Sequence, residues 1–316
     1  MGTIRFDEYL KLENKYNLVV GIGQFDGLHV AHRQIISIIE DISRNKGYKS
    51  AIITFDPHPD YILGKKDINS SVLSLDEKAI ELEKLGIDYL IVINFNKEFS
   101  TISANDYVKD YLLKINVKEV VVGSDFIFGY RGLGKGSMIE EYSNNLIKVH
   151  LIPEMKYENE KIGTEKIRTL LKTGKVSEIN NLLGRNFMIS GIVVRGKQVG
   201  RKIGYPTINL LIREDLVEIK KGVYAVVVHY NSKVYKGIGN VGNNPSFNYK
   251  EKINLEVHIF DFNENLYDQL VSVELIEFIR EEVKFKNVED FIEQLKIDID
   301  KTKVILNNYF INAVEK

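Results

Sequence analysis

Apolar residues in the first half of the chain gather into short, nearly unbroken runs: Leu18–Gly23, Ala51–Phe55, Leu90–Asn94, Glu119–Gly123 and Leu146–Ile152. Runs this short, with little polar alternation, suit strands buried on both faces of a parallel sheet. Between them the spacing turns helical. Ile35, Ile36, Ile38, Ile39 and Ile42 make one apolar stripe, as expected of a helix lying on a sheet. Ser74 with Glu77 reads as a reciprocal N-terminal cap, and Gly86 stands where that helix should stop. Ser103 with Asp106 opens another helix in the same way. Strands alternating with helices through short connections predict a doubly wound α/β domain, with its site at the carboxyl ends of the strands.

The pattern changes near Leu183–Phe187. Strand-like stretches then follow at Phe187–Val194, Gly222–Tyr230, Lys233–Asn240, Ile253–Asp261 and Leu270–Ile276. The alternation is strictest where Ile253, Leu255, Val257 and Ile259 share one face and Asn254, Glu256, His258 and Phe260 the other. Several strands joined by Gly-rich turns, with no helices between, predict a small antiparallel β-barrel. An amphipathic helix from about Val288 to Tyr309 closes the chain. The expected domains are 1–183, α/β, and 184–316, barrel plus helix.

Composition narrows the chemistry. The 316 residues carry a net charge of −1, which argues against non-specific nucleic-acid binding. Cysteine is absent, excluding disulfides, thiolate metal sites and thiol nucleophiles. Residues Met1–Leu10 hold no apolar signal-peptide core, and no run approaches the roughly 20 apolar residues of a membrane helix. The expectation is a cytoplasmic protein acting on small molecules, a monomer or weak homo-oligomer.

Two segments carry candidate chemistry. The first runs from Gly23 through Phe25, Asp26, Gly27 and His29 to His32, between an apolar strand and the isoleucine-striped helix. A strand, a glycine turn and a helix N-terminus make an anion site from backbone N–H groups and the helix dipole. His29 and His32, three apart, present imidazoles on one side of the first turn; protonated, both would hydrogen-bond phosphate oxygens. The plain alternative is a turn with two surface histidines. The second segment runs from Gly196 through Lys197, Gly200, Arg201, Lys202, Gly204 and Pro206 to Thr207 and Asn209. Glycines and cations in a loop wrap polyphosphate with backbone N–H groups. Thr207 and Asn209, two apart on an extended piece, offer hard oxygens suited to Mg²⁺ beside ATP phosphates. A basic hairpin loop would leave the same local pattern.

These segments resemble the prokaryotic bifunctional riboflavin kinase/FMN adenylyltransferase family. Gly23–His32 looks like its "GxFDGxHxGH" signature, Thr54–Pro59 its second motif, Val122–Gly129 its third, and Ile162–Arg168 its "ISSTxIR" element. Gly196–Asn209 resembles "GxxxGfPTAN", Gly239–Phe247 the "NxGxxPTF" turn, Leu255–Asp261 the strand with the kinase glutamate, and Arg280–Phe285 "RxExKF". The resemblance implies a Rossmann-like nucleotidyltransferase domain followed by a riboflavin kinase-like barrel, using ATP, Mg²⁺ and flavins.

It also implies roles. In the transferase, His29 and His32 contact the ATP phosphates, Gly23, Phe25, Asp26, Gly27, Thr164 and Arg168 complete the nucleotide site, and Phe55, Asp125 and Phe128 shape the flavin end. In the kinase, Gly196, Lys202, Gly204, Pro206, Thr207 and Asn209 hold the nucleotide, with Thr207 and Asn209 on Mg²⁺; Asn240 and Arg280 serve the flavin, and Glu256 is the general base. Read from the strand alone, Glu256 is by default a solvated carboxylate, and Phe55 and Phe128, apolar residues at strand ends, are more often core than flavin platforms. His58, between two prolines, reads as a rigid-turn residue and His258 as a surface histidine. Ala31 stands where the family has Gly, Gly163 and Glu165 where it has hydroxyl residues, and Ile127 where it often has Arg. Two other readings therefore stand beside the bifunctional one: a kinase with a degenerate transferase domain, and a non-catalytic flavin-binding regulator.

Overall fold

A computed structural model describes residues 2–11, 16–66, 69–157, 160–196, 198–244 and 252–314. By internal contacts the chain divides into Met1–Thr164 and Glu165–Lys316.

The first unit holds a six-stranded parallel sheet of β1 (Gly2–Arg5), β2 (Leu18–Ile22), β3 (Lys49–Asp56), β4 (Tyr89–Asn94), β5 (Val117–Gly123) and β6 (Lys148–Ile152), in the order β1-β4-β3-β2-β5-β6. All five residues of β2 are buried, because both faces of the sheet carry a core. Leu18, Val20, Ile53 and Ile91 pack on one face; Val19, Ile52, Leu90 and Val121 pack on the other. At about 1.5–3 kcal/mol for each fully buried aliphatic side chain, these two layers dominate the unit's stability. They also explain why its strands read as continuous apolar runs.

After the short helix α1 (Phe6–Leu10), helix α2 (Val30–Lys46) lays Ile36 and Ile39 into the second layer, with Ile35, Ile38 and Ile42 at its margin. Helix α3 (Leu75–Lys84) starts on the expected reciprocal cap. Ser74 Oγ accepts from the Glu77 N–H at 3.1 Å, Glu77 Oε2 accepts from the Ser74 N–H at 2.8 Å, and Gly86 follows in the left-handed region at φ 82°. Ser103 also caps its helix, Ala104–Tyr107. Strand β1 was not expected: four residues of mixed polarity, paired only with β4.

In the second unit α4 (Thr164–Thr173) and α5 (Val176–Leu183) precede a closed antiparallel barrel. Its strands are β7 (Phe187–Val194), β8 (Ile208–Leu211), β9 (Gly222–Tyr230), β10 (Lys233–Asn244), β11 (Lys252–Ile259) and β12 (Leu270–Arg280), in the order β7-β8-β11-β10-β9-β12. Helix α5 packs on β7 and β12. A one-turn helix, Val199–Lys202, sits where only a loop was expected. Helix α6 (Val288–Val314) lies over the outer barrel wall, where its Ile299 and Leu306 join Val223, Ala225, Val227, Ile238 and Phe260. The face of β11 that carries Glu256 and His258 is thus partly covered by a helix. Among the described residues no helix is long and apolar enough to cross a membrane.

Candidate active sites

The first site grows from the end of β2. Within five residues the backbone turns through two left-handed non-glycine positions, Phe25 (φ 47°) and Leu28 (φ 48°), besides Gly27 (φ 81°). Each such L-residue costs roughly 1–2 kcal/mol, so something must hold the turn. Both side chains are buried. Asp26, also buried, accepts through Oδ1 from the Val72 N–H at 2.8 Å and the Leu73 N–H at 3.3 Å. Lys78 Nζ donates to the Gln24 carbonyl at 2.6 Å, and Thr164 Oγ1 donates to the Asp26 carbonyl at 3.2 Å.

His29 is the N-cap of α2; its Nδ1 accepts from the His32 N–H at 3.4 Å, which leaves Nε2 to carry the ring proton. The His29 and His32 rings stack with centroids 3.7 Å apart, and His32 lies 4.7 Å from the Phe25 ring. Burial pushes His29 down to about 4 against the opposing pull of Asp26. Burial, then the neighbouring His29 and Lys78, hold His32 well below the usual imidazole range. The expected pair of protonated imidazoles is therefore neutral near pH 7, because desolvation outweighs the nearby carboxylate. His32 Nδ1 is buried with no hydrogen-bond partner. An orphaned polar atom of this kind costs about 1–3 kcal/mol.

Gly23, His29, His32, Asp125 and Thr164 line a cavity of about 290 Å³ where β2, β5 and β6 end. Asp125 pairs with Lys161, which also reaches Glu154 at 2.8 Å. Phe126 lines the cavity, whereas Phe55 and Phe128 lie in an aromatic cluster with Phe95, Phe99 and Tyr107. Ala31 and Gly163 both line it, and a methyl at Gly163 would meet nothing within 4 Å. Arg168 is largely buried on α4, its Nε 3.9 Å from Glu165, whose carboxylate is exposed. His58 caps the turn Pro59–Ile62 by accepting from the Asp60 N–H.

The second site is laid out by strand register. Asn209 of β8 stands opposite Glu256 of β11, and Glu256 opposite Asn240 of β10. Asn240 stands opposite Val223 of β9, and Val223 opposite Arg280 of β12. Directly paired residues share a face, so one row crosses five adjacent strands on the outer wall. A cavity of about 640 Å³ lies over that row, with Thr207, Glu256, Asn240 and Arg280 in its lining. Of the expected kinase residues, Thr207, Glu256, Asn240 and Arg280 share this cavity, whereas Gly196, Gly204, Pro206 and the buried Asn209 are not in its lining.

Neighbours fix each member of the row. Asn254 Nδ2 donates to Glu256 Oε1 at 3.1 Å, and Asn240 Nδ2 to Glu282 Oε1 at 3.2 Å. Asp298 of α6, 2% exposed, grips the Arg280 guanidinium with contacts of 2.7–3.1 Å and also accepts from Gln294. His258 Nδ1–H donates to the Pro206 carbonyl at 2.7 Å and meets Tyr205 edge-on, so it lines the site rather than the open surface. Gly196 lies so close to Asn209 that a Cβ would fall 2.3–2.7 Å from its amide atoms, and Gly200 likewise admits the Tyr205 carbonyl. Gly204 turns at φ 89° just before Tyr205. The Lys202 side chain, Lys197 and the Pro245–Phe247 part of the expected turn lie outside the described residues. Among the described residues no cluster of three His or carboxylate side chains forms a metal site; hydroxyl and amide oxygens such as those of Thr207 and Asn209 are a different donor set.

The FAD synthetase family model matches residues 11–166 and the riboflavin kinase family model residues 183–306. A bifunctional riboflavin kinase/FMN adenylyltransferase of Bacillus subtilis is 34% identical over 98% of this chain and 98% of its own. The Escherichia coli K12 protein of the same name is 30% identical over 98% of each. The chain belongs to the bifunctional riboflavin kinase/FMN adenylyltransferase family. A solved structure titled as a macrolide-efflux protein from Streptococcus pneumoniae shares the fold with a TM-score of 0.87 and 30% identity, over 95% of this chain and 98% of that one.

Within this family frame, four residues stand out that sequence reasoning passed over or gave another part. Lys78 occupies a core-facing register of α3 beside Ala79 and Leu82, and a cation in that register is itself a signal. Glu282 and Phe285 lie in the charged run whose motif was visible, and Asp298 becomes visible only through its contact with Arg280.

Proposed function

We propose that this chain converts riboflavin to FMN and FMN to FAD, consuming ATP at each step, with residues 184–316 performing the first transfer and residues 1–183 the second. The observation that carries the reading is the five-strand row from Asn209 through Glu256 and Asn240 to Arg280, of which Glu256, Asn240 and Arg280 line one cavity together with Thr207. Glu256 accepts the proton from the ribityl 5′-hydroxyl as that oxygen attacks the γ-phosphorus and ADP departs. Asn240 and the Asp298-locked Arg280 orient the flavin. The loop from Gly196 through Lys202, Gly204 and Pro206 wraps the phosphates. Thr207 and Asn209 would offer hard oxygens to Mg²⁺, and the ion would supply neutralisation of phosphate charge.

In the second transfer an FMN phosphate oxygen attacks the α-phosphorus of ATP, and pyrophosphate leaves. His29 donates from Nε2–H, and His32 sits beside it, at a helix N-terminus that already favours anions. Gly23, Phe25, Asp26 and Gly27 shape that turn; Thr164 buttresses it, and Arg168 is assigned to the nucleotide through the motif. Asp125, Phe55 and Phe128 are assigned to the flavin end.

Chromatography of the protein incubated with riboflavin, ATP and Mg²⁺ tests the proposal. FMN followed by FAD is the expected result. FMN alone leaves a kinase with a silent transferase domain, and neither product leaves a flavin-binding regulator. Chelation of Mg²⁺ should stop both steps.

A further inference from the structure

The geometry points to Lys78 as a positioning residue of the adenylyl-transfer site, a buried cation beneath the nucleotide turn that fixes its backbone and supplies its positive field. The inference rests on the proposed second transfer. Lys78 is 4% exposed, in a row of α3 whose neighbours Ala79 and Leu82 belong to the core. Its Nζ donates to the Gln24 carbonyl at 2.6 Å and to Thr54 Oγ1 at 3.4 Å, while Thr54 donates to the same carbonyl at 3.2 Å. The anchored carbonyl sits between Gly23 and the left-handed Phe25, so two donors hold the point where the chain leaves the strand.

The charged and titratable groups facing Lys78 are Asp26 of the turn, Asp56 at the end of β3, and His32 of α2. Arg5 already engages Asp56 at 3.3 Å, and backbone N–H groups engage Asp26. An apolar side chain would fill this register without the cost of desolvating an ammonium. A perturbed, buried charge behind a ligand cavity is a candidate for a functional role. Burial pulls Lys78 down to about 8 against the two carboxylates. Its charge is in turn one of the causes that hold His32 neutral. Below about pH 8 the cation is present; as pH rises through that value it is lost, and with it the field on the triphosphate.

The test is FAD formation from FMN and ATP by wild type, Lys78→Met and Lys78→Arg between pH 6.5 and 9.5. Riboflavin phosphorylation by the same samples reports folded protein. At pH 7, kcat/KM for ATP should fall at least about tenfold in Lys78→Met and stay within about threefold of wild type in Lys78→Arg. The wild-type alkaline fall near pH 8 should move above pH 9 in Lys78→Arg. A Lys78→Met protein with wild-type kcat/KM and the same alkaline limb overturns the inference. If Lys78→Met does not fold, an unmoved limb in Lys78→Arg overturns it; if neither folds, a wild-type kcat/KM flat to pH 9.5 does so. Wild type that makes no FAD at any pH instead defeats the proposed transfer itself.

Discussion

The histidine turn of the α/β unit and the side-chain row of the barrel each bring polar groups to a cavity, but they are held by opposite means. The turn is local: Gly23 to His32 supply it, two strained residues shape it, and buried groups whose charge depends on their surroundings pin it. The row is non-local: no two of its members are chain neighbours, and each is placed by the register of a closed sheet. A site built on strain and desolvated bases should respond to pH and to single anchors. A site built on register should respond chiefly to loss of the reacting group itself or to crowding of the row.

The sharpest separation comes from the carboxylate. Glu256→Gln keeps the register and the Asn254 contact but removes the proton acceptor. FMN formation should fall by about 10²–10⁴-fold, with FAD formation from supplied FMN unchanged. Product assays on one preparation check both halves, and an unchanged FMN rate would remove Glu256 from the reaction. The converse is His32→Ala, which should lower FAD formation by about 10²–10³-fold and leave riboflavin phosphorylation intact. Equal FAD rates would reduce the stacked histidines to a structural turn.

Much of this contrast was legible in the sequence, for physical reasons. Burial on two faces forces unbroken apolar runs, so β2 to β5 and the isoleucine face of α2 are visible locally. The glycine turns are visible because few other residues tolerate their backbone. The row is not, since Asn240, Glu256 and Arg280 are brought together only when strands far apart in sequence pair. His258 was read as a surface residue because alternation gives a strand two faces without saying what covers the polar one. Helix α6 packs against Phe260 on that same face. Lys78 was passed over because a single cation inside an otherwise regular helix weakens an apolar stripe without breaking it.

Acid sharpens the comparison next. His29 is held at about 4 in the folded protein against an ordinary value of 6.5. The unfolded chain therefore binds its proton first, and stability present above pH 6.5 is lost as pH falls from there towards 4. The difference corresponds to roughly 3 kcal/mol, and His32 acts in the same direction. The thermal midpoint of the full chain should fall between pH 6.5 and 5, and His29→Gln should flatten part of that fall. Parallel curves for the two proteins would contradict a buried neutral imidazole.

The smallest effect probes the row without touching its chemistry. Gly196 passes so close to Asn209 that an added Cβ would lie 2.3 Å from Nδ2 and 2.7 Å from Oδ1. Gly196→Ala must displace either the phosphate loop or the amide, and Asn209 is boxed in because it is 8% exposed and paired with Glu256 across the sheet. A shift of this size at a positioning group is expected to cost about tenfold in kinase kcat/KM for ATP, with FAD formation from FMN unaltered. Asn209 is assigned to the nucleotide and its ion rather than to the flavin, so KM for riboflavin should move less than KM for ATP. Equal changes in both constants would mean that the loop and the flavin pocket yield together, and that the register of the barrel does not insulate one end of the row from the other.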